Sequence, residues 1–148
     1  MSLPNDVTMD IKQCLLDQAI GSSVGSSDWF ISRGMEPTSP DRVITITQFP
    51  GAISNPKFLM DVLNVQIRIR GKSKDYVAAQ SKAQEIKDGL LGLSAKTIGN
   101  SRYYGIWEEF PGMGFLRYDE SNRPIFITTF RIEREPSNSS TESNREKI

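Results

Sequence analysis

Val62-Leu63-Asn64-Val65-Gln66-Ile67-Arg68-Ile69-Arg70 is the stretch whose reading decides the fold. Leu63, Val65, Ile67 and Ile69 fall on one side of an extended chain, and Asn64, Gln66, Arg68 and Arg70 on the other. That period of two is what a half-buried strand requires. A slip of one residue would turn two arginines into the core, so the alternation also fixes the pairing register.

Downstream, Gly71 ends the strand and Ser73 is a good helix N-cap. Tyr76, Ala79, Ala83, Ile86 and Leu90 then make one stripe of a helix predicted over Lys74–Leu91. Alanines in mid-stripe suit close packing on a sheet, while Lys74, Lys82, Glu85, Lys87 and Asp88 read as a solvated surface. Upstream, the β-branched run Arg42–Phe49 predicts a strand that Pro50-Gly51 stops. Ala52–Asp61, with the apolar triplet Phe58-Leu59-Met60, reads as a long hairpin arm with an apolar tip.

Nearer the N-terminus, Asp6 can cap a first helix to about Ala19, with Met9, Ile11, Leu15, Leu16 and Ile20 on its apolar side. The Gly/Ser-rich run 21–27 is a loop, and a short strand is expected over Asp28–Ser32. Beyond Gly92, strands are expected over Ser101–Phe110, Gly114–Tyr118 and Pro124–Glu133, joined by turns at Pro111-Gly112 and Glu120–Pro124. The predicted fold class is α+β: a mostly antiparallel twisted β-sheet, two helices packed on one face, and a long hairpin arm. Residues 1–135 are expected to form a single domain and 136–148 a disordered polar tail.

Composition narrows the function. The chain has 148 residues, 37% apolar and 24% charged, with 18 basic and 18 acidic side chains. No global field draws it to nucleic acid or anionic lipid. No secretory signal begins the sequence, and no run nears the roughly 20 apolar residues that span a bilayer, so a soluble protein made in a cytoplasm, without membrane partners, is expected. Cys14 is the only cysteine and sits in an apolar helical pattern, as a buried structural thiol would.

Histidine is absent, which removes the commonest general base and the commonest zinc ligand together. Gly71-Lys72-Ser73 sits where a phosphate loop would end, but the glycine such a loop needs five residues earlier is Gln66. The carboxylate pairs Glu108-Glu109 and Asp119-Glu120 point to opposite sides if extended, so they read as turn and surface charges. No catalytic, metal or cofactor site is expected, and no enzyme.

Protein contacts remain. Arg68 and Arg70, joined by Arg131 or Arg134, could be exposed and unpartnered, could pair with a neighbouring subunit, or could touch phosphates. Tyr103, Tyr104, Trp107 and Phe110 add an aromatic run of the kind enriched at interfaces. Phe58, Leu59, Met60, Arg68, Arg70, Arg131 and Trp107 are the expected interface residues. A nucleic-acid-binding module using the Arg68/Arg70 face is the alternative.

Pro40-Asp41-Arg42-Val43-Ile44, Val65–Gly71, Tyr76-Val77-Ala78-Ala79, and Arg123-Pro124-Ile125-Phe126 with Phe130-Arg131-Ile132 form an ordered series over Asp28–Arg134. In it the chain resembles the tail terminators, or minor tail-completion (minor capsid) proteins, of long-tailed bacteriophages. The resemblance implies a hexameric ring that caps the tail tube, ends its elongation and meets the head connector, with DNA only as passing cargo; another head-tail neck or completion protein is the alternative within it. It implies as partners other copies of the chain, the tail tube protein and the head-completion protein. It also implies a place at the head-proximal end of the virion tail, after assembly in the bacterial cytoplasm. Within it, Phe58, Leu59 and Met60 would be arm contacts, and Arg68, Arg70 and Arg131 subunit pairs or channel wall.

Overall fold

The computed structural model describes residues 6–55, 60–91, 93, 95–99 and 101–136. Its elements run α1 (Val7–Asp17), β1 (Phe30–Arg33), β2 (Val43–Asn55), β3 (Met60–Arg70), α2 (Tyr76–Leu91), β4 (Lys96–Ile98), β5 (Ser101–Glu108), β6 (Gly114–Tyr118) and β7 (Pro124–Pro136). The strands form one sheet in the order β1-β2-β3-β7-β5-β4, with β6 paired to β7 beside β5. Only β1 with β2 is parallel; the other pairs are antiparallel. The α+β class expected from the sequence is the one observed, with the sheet curled into a half-barrel.

The Val62–Arg70 stretch lies in β3, at the centre of the sheet between β2 and β7. Its inward residues Val65, Ile67 and Ile69 meet Ile44 and Ile46 of β2, and Phe126, Phe130 and Ile132 of β7, in one buried cluster. Both helices close this face. From α1 come Val7, Ile11, Cys14 and Leu15, and from α2 Ala79, Ala83, Ile86 and Leu90. Each fully buried Ile or Leu contributes roughly 1.5–3 kcal/mol from the area removed from water.

Asp6 caps α1 as expected, accepting a hydrogen bond from the Thr8 amide at 3.0 Å, while Ala19 (φ 57°) turns the chain away just past the helix. The second cap differs from the expectation. Lys74 has φ 62°, which interrupts helical backbone, so α2 starts at Tyr76 and Asp75, not Ser73, accepts from the Ala78 amide at 3.2 Å. β1 begins at Phe30 because Trp29 also has positive φ.

Pro50-Gly51 does not end β2. The register shifts between Phe49 and Ala52, which takes the proline out of the regular ladder and lets the strand continue to Asn55. The arm is therefore the far half of the β2–β3 hairpin; Phe58 and Leu59 lie outside the described residues, and Met60 is the first residue of β3. β7 runs three residues past the expected Glu133, with Pro136 opposite Ser101; the rest of the expected tail, 137–148, lies outside the described residues. β4 has no counterpart among the sequence-based expectations.

Candidate assembly surface

Of the expected interface residues, Arg68, Arg131 and Trp107 lie on the outward face of the sheet. In an antiparallel ladder directly opposed residues share a face, so Phe49, Asn64, Arg131 and Trp107 form one row across β2, β3, β7 and β5. Thr47, Gln66 and Thr129 form the next row, and Thr45, Arg68 and Ile127 the one after. The helices pack on the opposite face, through the buried cluster.

Trp107 lies flat on this face. A Cβ added at Gly105 would stand 2.7 and 2.8 Å from carbons of its ring, so a larger residue there would displace the indole from this position. The Arg131 guanidinium sits over the indole, 5.1 Å from its centroid, and pairs with Glu133 at 3.6 Å. Trp107 and Phe49 are each 41% exposed, so two aromatic side chains border the row with Arg131 between them.

Arg70 is not on a wet face. It is 3% exposed, because the loop from Gly34 to Asp41 folds over this end of the sheet. Its Nε donates to the Asp41 carbonyl at 2.9 Å, Nη1 to Glu36 at 3.0 Å, and Nη2 to the carbonyls of Pro40 at 2.7 Å and Thr38 at 3.3 Å. Burial, with Arg123 nearby, holds its pKa below the usual arginine value, against the pull of Glu36. Glu36 also pairs with Arg68 at 3.3 Å. The two arginines of the deciding strand thus share one carboxylate within the chain, and Arg70 acts as a clamp on its own loop.

Arg134 is likewise buried, on the helix side. Its Nη1 donates to the Tyr103 hydroxyl at 3.2 Å, and it lies 3.8 Å from Asp10 and 3.7 Å from Asp61. The Tyr103 hydroxyl in turn donates to Asp10. Burial raises the Asp10 carboxyl above its ordinary value despite Tyr103 and Arg134, and burial and the bond to Asp10 raise the Tyr103 hydroxyl. This network fastens α1 to β5, β7 and the root of the arm.

A second surface lies at β6, an edge strand whose Phe115, Leu116 and Tyr118 are exposed, beside Phe110, which is 89% exposed. Phe115 stacks edge-on with Phe126 and meets Tyr76. The aromatic run was legible in the sequence, but not that β6 pairs on one side alone among the described residues. Among the described residues no group of three or more His, Cys, Asp or Glu could hold a metal ion, and no helix is long and apolar enough to cross a membrane.

No curated protein matches the chain in sequence. Among solved structures, a chain from the virion of a native gene transfer agent particle superposes with a TM-score of 0.63 at 16% identity, covering 87% of this chain and 94% of its own. That likeness is one of fold. A profile of bacteriophage tail terminator proteins matches residues 12–136, from within α1 to the last residue of β7. The chain belongs to the bacteriophage tail terminator family, structural proteins of the virion tail.

Proposed function

We propose that this protein forms a ring, hexameric when assembled, on the head-proximal end of the tail tube. There it stops tube elongation and offers the surface that the head connector meets. The observation that carries the reading is the family match over residues 12–136, which takes in the whole sheet. The sheet face with Trp107, Arg131 and Phe49, and the β6 edge, both uncovered among the described residues, supply surface for a neighbour and for the tube. The role is structural, without cofactor or catalysis, and DNA is passing cargo.

A nucleic-acid-binding role through Arg68 and Arg70 has lost its main support, since both are engaged by Glu36. The test uses purified tail tubes from the cognate particle, incubated with the protein during polymerisation. Tubes of limited length with a ring of density at one end are expected. Tubes that elongate unchanged, with no added density, would overturn the proposal.

A further inference from the structure

The helix α2 turns one stripe away from its own sheet, opposite the buried Ala79, Ala83, Ile86 and Leu90: Val77, Ser81, Gln84, Asp88 and Leu91. Val77 is 72% exposed and Leu91 39%. A solvated helix face normally carries many charges, but this stripe carries one, Asp88, which accepts a hydrogen bond from Gln84 at 2.8 Å. The lysines that the sequence places on the outer side are engaged on the flanks. Lys82 donates to the Ile20 carbonyl at 2.9 Å and pairs with Glu85, and Lys87 pairs with Glu108 at 2.9 Å. Four residues of the stripe, Val77, Ser81, Gln84 and Asp88, line a groove of about 550 Å³ between α2 and Met113, with Glu85 also on its wall.

The opposite side of the subunit presents the complement. The outward sheet face has Trp107 and Phe49 at its sides, Arg131 between them, and a polar floor of Thr47, Gln66, Asn64 and Thr129. Thr129 is 7% exposed and its hydroxyl has no hydrogen-bond partner among the described residues; nor does Asn64 Oδ1. One face is neutral to acidic with aliphatic ends; the other has aromatic sides, unanswered polar atoms and, at its centre, the half-exposed side chain of Arg131, held by Glu133 only at 3.6 Å. Four strands span about 14 Å between the outer two, and a helix about 10 Å wide fits across them. A helix layer on a bare sheet face is the packing that already closes the other side of this sheet.

We infer that the bare sheet face of one copy receives the α2 stripe of the next, with Asp88 facing the Arg131 region and Ser81 and Gln84 over the polar floor. This rests on the ring proposed above and names the surfaces that build it. The two patches lie on opposite sides of one subunit, so the contact is head-to-tail. Such a contact closes into a ring when the rotation per step allows. The partner is a second copy of this chain.

The test is charge reversal by Asp88→Arg and, separately, Arg131→Glu, read as ring density and subunit occupancy on tail tubes. Circular dichroism and a thermal melt establish that each variant is folded. Each alone should lose capping by about tenfold or more through like-charge contact. An equimolar mixture should recover to within about threefold of wild type, because in an alternating ring every contact then pairs opposite charges. Normal capping by either variant alone, or no recovery in the mixture, overturns the inference while wild-type capping keeps the ring reading intact. Failure of the wild type to cap overturns both. Where a charge variant does not fold, Gln84→Cys combined with Gln66→Cys, treated with a short bis-maleimide after capping, should give a ladder of linked copies. Monomers alone from visibly capped tubes overturn the inference.

Discussion

Replacing Arg70 with alanine separates a structural role from an assembly role. In the folded protein this guanidinium meets the Glu36 carboxylate and the carbonyls of Thr38, Pro40 and Asp41, at 2.7 to 3.3 Å. Removing one partner of a buried charge pair costs about 3–5 kcal/mol. Glu36 keeps Arg68 at 3.3 Å and its side chain is 20% exposed, so it can rehydrate in part, which sets the expectation at the lower end, about 3 kcal/mol. For a chain of this size that is a fall in Tm of roughly 6–12 °C. Urea denaturation followed by the fluorescence of Trp29 and Trp107 measures it, with an unchanged m-value showing that the unfolded reference is the same. Arg70→Lys should regain less than half the loss, since one ammonium cannot reproduce the planar fork that reaches these acceptors. A stability within about 1 kcal/mol of wild type, accompanied by lost capping, would refute the clamp and return Arg70 to the outer surface.

Asp6→Ala should cost about 1 kcal/mol at neutral pH as a lost helix cap. Burial pushes the Asp6 carboxyl up, but the Thr8 hydroxyl, Arg33 and the Met9 and Thr8 amides outweigh it and hold the pKa below 3.8. Its stabilisation is therefore present above that value and lost as pH falls through the lowered one, so acid titration of both proteins should bring their stabilities together. Tyr103→Phe removes a hydrogen bond that lowers the buried, already raised Asp10 carboxyl. The loss should be about 1–3 kcal/mol near neutrality and should shrink on acidification, as Asp10 is protonated in folded and unfolded chains alike; a loss independent of pH would contradict this network. Asp75→Ala removes the α2 cap and a partner of Arg42 at 3.1 Å, with about 1 kcal/mol lost in thermal unfolding. Gly51→Ala would drive a Cβ to within 2.8 Å of the Val62 carbonyl carbon, backbone that cannot step aside; faster proteolysis in the β2–β3 hairpin than in wild type is the expected readout.

The strand that opened the sequence reading also shows where such reading stops. Alternation over Leu63–Arg70 identified two faces correctly, because side-chain direction is set by the backbone alone. It could not reveal that Arg70 would be covered, since the cover is a loop some thirty residues upstream (Glu36 and Asp41) whose position depends on tertiary contacts. Asp6 was legible as a cap because its hydrogen bond is local; Asp75 displaced Ser73 because the left-handed Lys74 left no simple signal. Pro50-Gly51 looked like a stop and proved to be a register shift, which only the partner strand makes visible. The aromatic run containing Trp107 was legible as a run, whereas its placement beside Arg131 and Phe49 required the order β2-β3-β7-β5.

The register shifts in β2, β5 and β6 have a consequence at a larger scale. Each bends a strand locally and adds twist, so together they shape the curl of the sheet. In the proposed ring of six the direction from one copy to the next would turn by ~60°, an angle that the bend of the sheet would help to set. Gly51 and Gly105 lie at two of these bends, against Val62 and Trp107 respectively. In the ring proposed above, their small size would bear on the width of the central opening, because a side chain at either one would alter the bend of its strand.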